Sequence, residues 1–397
     1  MPKNPMNPVP KSQGQKYLAR WSQDSDAKKR LLTKPVVSAS ILLVLLACFS
    51  TDSVSALDAG QWVTLAAMQI PRQETGAARI GNTVYVVGGL LDGPGLSATN
   101  TVEVYDVDAN SWSFIPPMPA ALDHMAAVAI NGKLHVIGGY SANFQSRSDM
   151  YIYDPVGNQW STGPSLPSAR GACWAVEHGG RIYLFGGRDS AGATRRTTFI
   201  FDPGTNMWST GADMPTAREH LTAAALGDFI YVIGGRNGPS NSLNERYDPA
   251  NNSWMTMAPM PTARAAAATA ALYGRLWVAG GETPMLFSVN EVYDPETNTW
   301  DTDTPMPVPR HGISAVALED RILCPGGGVI QGLDASNHVD AFVPPSPVPA
   351  MSGVGLVGFA LLLGVVGATR IRNAPPRERG RSVPTSADAI GLTEISR

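Results

Sequence analysis

The chain has 397 residues with 40 glycines, 32 prolines and a formal net charge of −3, which suits a large, turn-rich all-β domain and not a disordered polymer. The charge is uneven, because both ends are basic while residues 36–369 carry sixteen Lys and Arg against twenty-eight Asp and Glu. Such an acidic body lacks the positive field that phosphate binding needs, so we do not expect a nucleic-acid partner.

The first 56 residues have the features of an export signal. A basic leader comes first, then the apolar run 36–49, and then small residues that end at Ala56. This order is typical of a secretory signal peptide. We therefore expect residues 1–56 to be a basic leader with a signal peptide cleaved after Ala56, or an uncleaved signal anchor.

The middle of the chain is a repeat. Six apolar runs, such as VYVVGG and IYLFGG, end in glycine pairs, and six tryptophans follow the same rhythm at steps of 46 to 50 residues. Each unit reads as four short strands, and four-stranded units at such a period are typical of propeller blades. The residues that mark the repeat are Gly88, Gly89, Gly138, Gly139, Gly186, Gly187, Gly234, Gly235, Gly280, Gly281, Gly326, Gly327, Trp62, Trp112, Trp160, Trp208, Trp254 and Trp300.

Three features occur together in the first five units: the glycine pair, a Tyr-Asp or Phe-Asp dipeptide, and a tryptophan seven residues after the Tyr or Phe. This combination resembles the kelch repeat over residues 57–345. The resemblance implies an all-β, six-bladed kelch β-propeller in which the glycine pairs and tryptophans are structural. It also predicts that the Ala-rich segment 264–274 is a strand, although its local propensity favours helix.

The first tryptophan has no complete unit before it, and the last unit has no tryptophan. Seven residues after Phe342 the chain has Pro349, whereas Trp62 stands alone near the start of the repeat. The two incomplete units complement each other. We expect an N-terminal strand to close the last blade, with residues 62–68 paired to residues 337–343.

Spacing separates the scaffold from the candidate binding surface. In all six units, the position ten residues after the tryptophan, which we call the arginine position, lies sixteen residues before the first glycine of the pair. Only the loops after the glycine pairs vary in length, and variable loops on a fixed scaffold are common recognition sites. The candidate binding residues in and near these loops are Arg188, Arg195, Arg196, Arg236, His124, His220, Phe144, Glu282 and Phe287.

The arginine position is occupied by arginine in five of the six units, and two interpretations are open. The arginines could form a ring that clamps an anionic ligand through bidentate bonds. Alternatively, they are structural and pair with acids two residues before the Tyr or Phe. Those acids are Glu103, Glu245, Glu291 and Asp340.

The C-terminal part predicts a membrane anchor. Residues 346–369 read as a Pro-rich linker and a transmembrane helix, since the uncharged stretch 350–369 is long enough to span a bilayer. An arginine cluster opens the basic, disordered tail 370–397. By the positive-inside rule the tail stays cytoplasmic, so we expect the propeller outside the cytoplasm, at the cell surface or in the periplasm.

These features favour an exported, membrane-anchored kelch propeller that binds a protein or glycan. Two alternatives remain open: a structural envelope protein, and an enzyme similar to the exported six-bladed sialic acid mutarotases. An enzyme of that type needs acid–base and carboxylate-clamping groups, for which His220 or Glu282 with Arg188 or Arg236 are candidates. A deep pocket with two loop arginines would favour the enzyme, and a shallow face with Phe144 and Phe287 would favour protein binding.

We expect no cofactor and no metal. The six histidines show no local metal-ligand spacing such as H-x-H or HExxH.

Overall fold

The computed structural model describes residues 59–92 and 96–345. These residues form six antiparallel four-stranded sheets whose innermost strands contact one another in a closed circle. The all-β six-bladed propeller predicted from the sequence is therefore confirmed. Within the described ranges, no helix is both long and apolar enough to cross a membrane. The predicted leader and signal (1–56), membrane helix (350–369) and basic tail (370–397) lie outside the described residues.

Each blade runs from an innermost strand at the propeller axis to an outermost strand. In that order, the strands of blade one are Gly76–Ile80, Thr83–Val87, Val102–Asp106 and Ser111–Phe114. Those of blade two are Ala126–Ile130, Lys133–Ile137, Met150–Asp154 and Gln159–Thr162, and those of blade three are Trp174–His178, Arg181–Phe185, Thr198–Asp202 and Met207–Thr210.

The strands of blade four are Thr222–Leu226, Phe229–Ile233, Asn244–Asp248 and Ser253–Thr256. Those of blade five are Ala268–Leu272, Arg275–Ala279, Asn290–Asp294 and Thr299–Asp303. Those of blade six are Val316–Ala317, Ile322–Pro325, Val339–Val343 and Gln61–Thr64.

Three short hairpins lie beyond the glycine pairs of blades one, two and six. Their strands are Leu90–Leu91 with Ser97–Ala98, Tyr140–Ser141 with Gln145–Ser146, and Gly328–Ile330 with Leu333–Ala335. A single turn of 3-10 helix, Ala142–Phe144, forms the tip of the second hairpin. The hairpins extend the face of the propeller on which the variable loops lie.

The Ala-rich segment of blade five is a strand, as its place in the repeat predicts. Its strand, Ala268–Leu272, pairs along its whole length with Arg275–Ala279, and Ala268 and Ala270 are buried. Small side chains suit an innermost strand, because the innermost strands of all six blades crowd around the axis. Tertiary packing therefore overrides the helical propensity of alanine.

The N-terminal strand closes blade six. Trp62 pairs with Phe342 in an antiparallel ladder that runs from Gln61 opposite Val343 to Thr64 opposite Asp340. Beyond the strand, the amide of Met68 donates to the carbonyl of Asn337 at 3.0 Å. The predicted pairing of residues 62–68 with residues 337–343 is confirmed, and the ring is closed by the two ends of the repeat region.

The tryptophans join neighbouring blades. The indole N–H of Trp62 donates to the carbonyl of Thr304 in blade five at 2.9 Å, and Trp112 donates in the same way to Ala66 at 2.7 Å. The other four tryptophans make the equivalent bond to the preceding blade, with acceptors Pro116, Pro164, Ala212 and Ala258. The set is cyclic, so each tryptophan connects its own blade to the one before it.

The glycine pairs connect each blade to the next. The amide of Gly187 donates to the carbonyl of Arg218 in the following blade at 2.9 Å. Gly187 has φ +82°, and a Cβ there would lie 2.7 Å from the carbonyl oxygen of Gly171. Only glycine accepts both this backbone conformation and this close approach. The pattern closes around the ring, because the amide of Gly327 in blade six donates to the carbonyl of Arg72 in blade one.

Blade six has a shortened innermost strand. It keeps only Val316–Ala317, opposite Leu323 and Ile322, where other blades have five residues. Pro325, at the end of the second strand, has no N–H with which to extend the ladder toward the axis. Cys324 and Pro325 still pair on the other side with Asp340 and Val339, so this strand is interior and is edge-like only at that end.

Candidate functional site

The arginine positions and the variable loops share one face of the propeller. In every blade the residue after the arginine position bridges to the residue after the glycine pair, as Glu219 does with Arg236. We call this surface the loop face; it comprises the segments that follow the glycine pairs and the residues just after the arginine positions. The equivalent bridges are Gln73–Leu90, Asp123–Tyr140, Gly171–Arg188, Ala265–Glu282 and His311–Gly328.

A ring of backbone hydrogen bonds surrounds the axis at this face. The amide of His124 donates to the carbonyl of Glu74 at 3.0 Å, and each blade repeats the bond to its predecessor until Glu74 donates to Gly312 at 2.8 Å. The ring residues are Glu74, His124, Ala172, His220, Ala266 and Gly312, and all six have left-handed φ between 48° and 58°. Holding five non-glycine residues in this conformation costs energy, so tertiary contacts must impose it.

Polar side chains from five blades converge on this ring. We call them the axial network: Glu74, Asp123, His124, Glu219, His220, Arg236, Glu282 and His311. They form a continuous series of contacts around the axis.

One half of the axial network joins blades one and two. Nδ1 of His124 lies 2.5 Å from Oδ1 of Asp123, and its Nε2 lies 3.4 Å from Oε2 of Glu74. The other oxygen of Glu74 lies 3.9 Å from Nδ1 of His311. His124 is therefore held between two carboxylates.

The other half joins blades four, five and six. Arg236 donates from Nε to Glu219 at 2.9 Å and from Nη1 to Glu282 at 3.1 Å. Glu219 also lies 3.0 Å from Nδ1 of His220, and Glu282 lies 3.5 Å from Nε2 of His311. Arg236 is therefore neutralised by two acids of the protein itself.

The pKa directions follow from this arrangement. Burial alone would raise the pKa of Glu74, but the nearby histidines and Arg236 outweigh it and lower the pKa. Burial likewise disfavours charged His124, yet the carboxylates of Glu74 and Asp123 raise its pKa. The pKa of Glu219 falls to about 2, because its bonds to His220 and Arg236 outweigh burial. The network thus stabilises its charged forms.

Two cavities meet at the axial network. A pocket of about 310 Å³ on the loop face is lined by side chains that include Tyr140, Phe144, Arg188, His220 and Arg236. A smaller cavity of about 40 Å³ lies at the ring and is lined by residues of all six blades. His124 and His220 line both cavities, so the outer pocket and the inner cavity share these two side chains.

The structure brings together most of the candidate residues named from the sequence. His124, His220, Phe144, Arg188 and Arg236 line the outer pocket. Glu282 reaches it through its bond to Arg236.

The remaining three candidates lie elsewhere. Arg195 pairs with Asp189, and Arg196 lies 3.4 Å from Asp213 on the surface. Phe287 is half-buried and lines neither cavity.

The arginine positions pair with the acids that the sequence indicates. Arg218 contacts Glu245 at 2.6 Å, and Arg218 is fully buried. The same pairing joins Arg72 to Glu103, Arg264 to Glu291 and Arg310 to Asp340. These side chains lie inside the scaffold, which favours the structural interpretation over a ring that clamps a ligand.

Blades two and three replace this ion pair in different ways. Blade two has Leu122 at the arginine position and Tyr151 at the acid position, both buried. Blade three keeps Arg170 but has Phe199 in place of the acid, and the guanidinium lies 5.1 Å from the centre of the phenylalanine ring. Charge and counter-charge are thus both absent in blade two, while an aromatic face replaces the acid in blade three.

Sequence reasoning missed Glu74, Asp123 and Glu219, and it did not place His311 in the site. Each lies one or two residues past an arginine position, as His124 and His220 do. The available signal was therefore two adjacent columns of the repeat that are polar in some blades and Ala or Gly in others. Local spacing could not reveal the axial network, because its residues come from different blades.

The closed ring of blades, the glycine pairs and the inter-blade tryptophans define a kelch-type propeller. Residues 74–212 and 163–327 match the KLHDC2/KLHL20/DRC7 Kelch-repeats domain, so the chain belongs to the kelch-repeat family. Kelch propellers generally bind proteins.

Curated relatives share part of the repeat region. The chain is 34% identical to Kelch-like protein terF of Aspergillus terreus over 113 residues, which is 27% of this chain and 25% of that protein. It is 35% identical to the F-box/kelch-repeat protein At1g67480 of Arabidopsis thaliana over 115 residues, 27% of this chain and 30% of that one. The chain therefore spans less than a third of the length of these relatives.

A solved structure shares the fold. The chain matches the structure of YjhT with a TM-score of 0.62 and 19% sequence identity, over 69% of this chain and 95% of that chain. At this identity the likeness concerns the propeller fold alone.

Proposed function

We propose that this chain is an exported, membrane-anchored kelch propeller that presents its loop face to a protein or glycan partner at the cell surface or in the periplasm. The family supports a binding role. The basic and apolar segments at the two ends of the sequence support export and anchoring.

The observation that carries the binding role is a set of exposed apolar side chains on the loop face. Phe144, Met285, Ile330 and Leu333 are between 52% and 60% exposed and come from the variable loops of blades two, five and six. Exposed apolar side chains on a face formed by variable loops are a common feature of protein interaction surfaces.

Affinity capture with the full-length chain tests this role. Serine at Phe144, Met285 and Leu333 together should abolish capture of the partner from an envelope extract. Val156, on the opposite face and 97% exposed, provides the matched control, and Val156→Ser should capture normally. Equal capture by both variants would contradict binding through the loop face, and the same pair of variants on a glycan array tests a carbohydrate ligand.

Export and anchoring are tested with reporter fusions. Alkaline phosphatase, which is active only outside the cytoplasm, should be active when joined after residue 345. A fluorescent protein that matures only in the cytoplasm should be bright when joined after residue 397. The reverse pattern would contradict the proposed orientation.

A sugar-acid mutarotase or epimerase is the second candidate, and the outer pocket is the observation that favours it. The pocket contains two loop arginines and two histidines, which is the combination expected for such an enzyme. The guanidinium of Arg236 already binds Glu219 and Glu282. Among the described residues, the guanidinium of Arg188 donates only to the carbonyl of Gly192. Arg188 is therefore the group available to a substrate carboxylate.

Anomer exchange of a sugar acid, followed by NMR, tests the enzyme. The chain should accelerate exchange, and Arg188→Ala and His220→Gln should each remove the acceleration. Arg196→Ala, on an exposed ion pair away from the pocket, provides the control. No acceleration by the unmodified chain would exclude this activity, and absence of both capture and catalysis would leave a structural envelope role.

A further inference from the structure

Three potential ligand groups converge on the axis. A carboxylate oxygen of Glu74 and ring nitrogens of His124 and His220 lie within 4.8 Å of one another, although the residues come from blades one, two and four. All three belong to the backbone ring described above, so the main chain fixes their positions. Two histidines with one carboxylate form a common ligand set for zinc and non-haem iron.

The surroundings of the histidines provide an independent second observation. Nδ1 of His124 contacts Asp123, and Nδ1 of His220 contacts Glu219, each at hydrogen-bond distance. A carboxylate at Nδ1 holds the proton there and leaves the lone pair of Nε2 free in the neutral ring. Histidines that ligate metals almost always have such a partner, which orients the ring and increases its basicity.

The charge of the axial network favours a cation. Four carboxylates, from Glu74, Asp123, Glu219 and Glu282, face one guanidinium, that of Arg236. This excess of carboxylates over positive groups attracts a divalent cation. Arg236 lies 3.2 Å from Nε2 of His220, so coordination would replace that one contact while Glu219 and Glu282 still hold the guanidinium.

The inner cavity offers space at the point where the ligands meet. Its volume of about 40 Å³ exceeds the roughly 10–15 Å³ needed to hold one water molecule. Glu74, His124 and His220 all line this cavity. His311 is 1% exposed, and its Nδ1 has no hydrogen-bond partner among the described residues although it lies 3.9 Å from Glu74. His311 thus adds a buried, unpartnered polar nitrogen beside the carboxylate of Glu74.

We propose that Glu74, His124 and His220 bind a divalent first-row transition metal, with zinc as the first candidate, on the axis of the propeller. Three protein ligands leave at least one position of a four-coordinate ion open. Because His124 and His220 also line the outer pocket, that position is accessible to a ligand on the loop face.

Metal titration of the full-length chain tests the proposal. After the chain has been stripped with chelator, one equivalent of zinc should bind, and cobalt should give the visible absorption of a low-symmetry site. His124→Gln, His220→Gln and Glu74→Gln should each weaken zinc binding at least about 100-fold. Asp123→Asn and Glu219→Gln should weaken it about 10- to 100-fold, as loss of an orienting partner does.

His178→Gln is the matched control. His178 lies at the end of the innermost strand of blade three and belongs to neither cavity. This variant should bind zinc as the parent chain does. The parent chain itself gives a test without any substitution, since zinc should shift the Nε2 NMR signals of His124 and His220 and leave those of His178 unchanged.

Two results would overturn the proposal. The first is a parent chain that binds no stoichiometric metal. The second is binding that persists in the folded His124→Gln and His220→Gln variants, or that shifts neither of these two histidines in the NMR experiment.

Discussion

The buried ion pair of blade four gives a quantitative prediction about the scaffold. Glu245→Gln keeps the volume of the side chain and removes the charge that compensates Arg218, which is 0% exposed. Removing one partner of a buried pair costs about 3–5 kcal/mol. Since Arg218 also donates to the carbonyl of Gly234 at 2.7 Å, we expect the lower end, about 3 kcal/mol.

The chain contains its own compensating pair. Blade two carries Leu122 and Tyr151 at the corresponding positions, both buried. Arg218→Leu combined with Glu245→Tyr transfers that solution to blade four and removes both charges. An uncharged pair of similar volume should leave the free energy of unfolding within about 1.5 kcal/mol of the parent chain.

Urea unfolding followed by tryptophan fluorescence measures both effects. The slopes of the transitions must agree between variants, so that a shift in midpoint reports a change in stability. A cost below about 1 kcal/mol for Glu245→Gln would refute the argument from a buried uncompensated charge. A double variant less stable than the single variant would refute the argument from the blade-two pair.

Three further predictions concern closure, packing and thiol chemistry. Trp62→Ala should cost about 3 kcal/mol, the lower end of the range for a large aromatic residue, because Trp62 is half-buried. It should also expose the amides of residues 339–343 to early hydrogen exchange, because Trp62 closes blade six; unchanged exchange there would contradict closure. Gly187→Ala should destabilise the chain by clearly more than Gly227→Ala, since both have positive φ but only Gly187 has a carbonyl 2.7 Å from the added Cβ; equal thermal midpoints would contradict this. Burial raises the pKa of Cys173 and Cys324 to about 12, so peptide mass spectrometry should find both alkylated by iodoacetamide only after unfolding.

The scaffold was predictable because it repeats. The constant spacing from tryptophan to glycine pair identifies the blades, and the displaced Trp62 identifies the closing strand. The pairing of Arg218 with Glu245 was also available, since both occupy fixed columns of the repeat.

The axial site could be predicted only in part. His124 and His220 were recognisable as polar residues near the channel, but their meeting with Glu74 depends on the closure of the whole ring. No local spacing encodes that contact, so the absence of a metal motif in the sequence carried little information. The exposure of individual loop side chains is also not encoded in the spacing: Phe287 is half-buried, whereas Met285 in the same loop is 60% exposed.

Site-specific photo-crosslinking in the cells that produce the chain tests the proposed binding role of the loop face most directly. A photoreactive phenylalanine analogue replaces Phe144 on the loop face in one variant and Val156 on the opposite face in another; both side chains are exposed. We predict a discrete crosslinked adduct from position 144 and none from position 156. Adducts from position 156 alone, or from neither position, would contradict a binding role for the loop face.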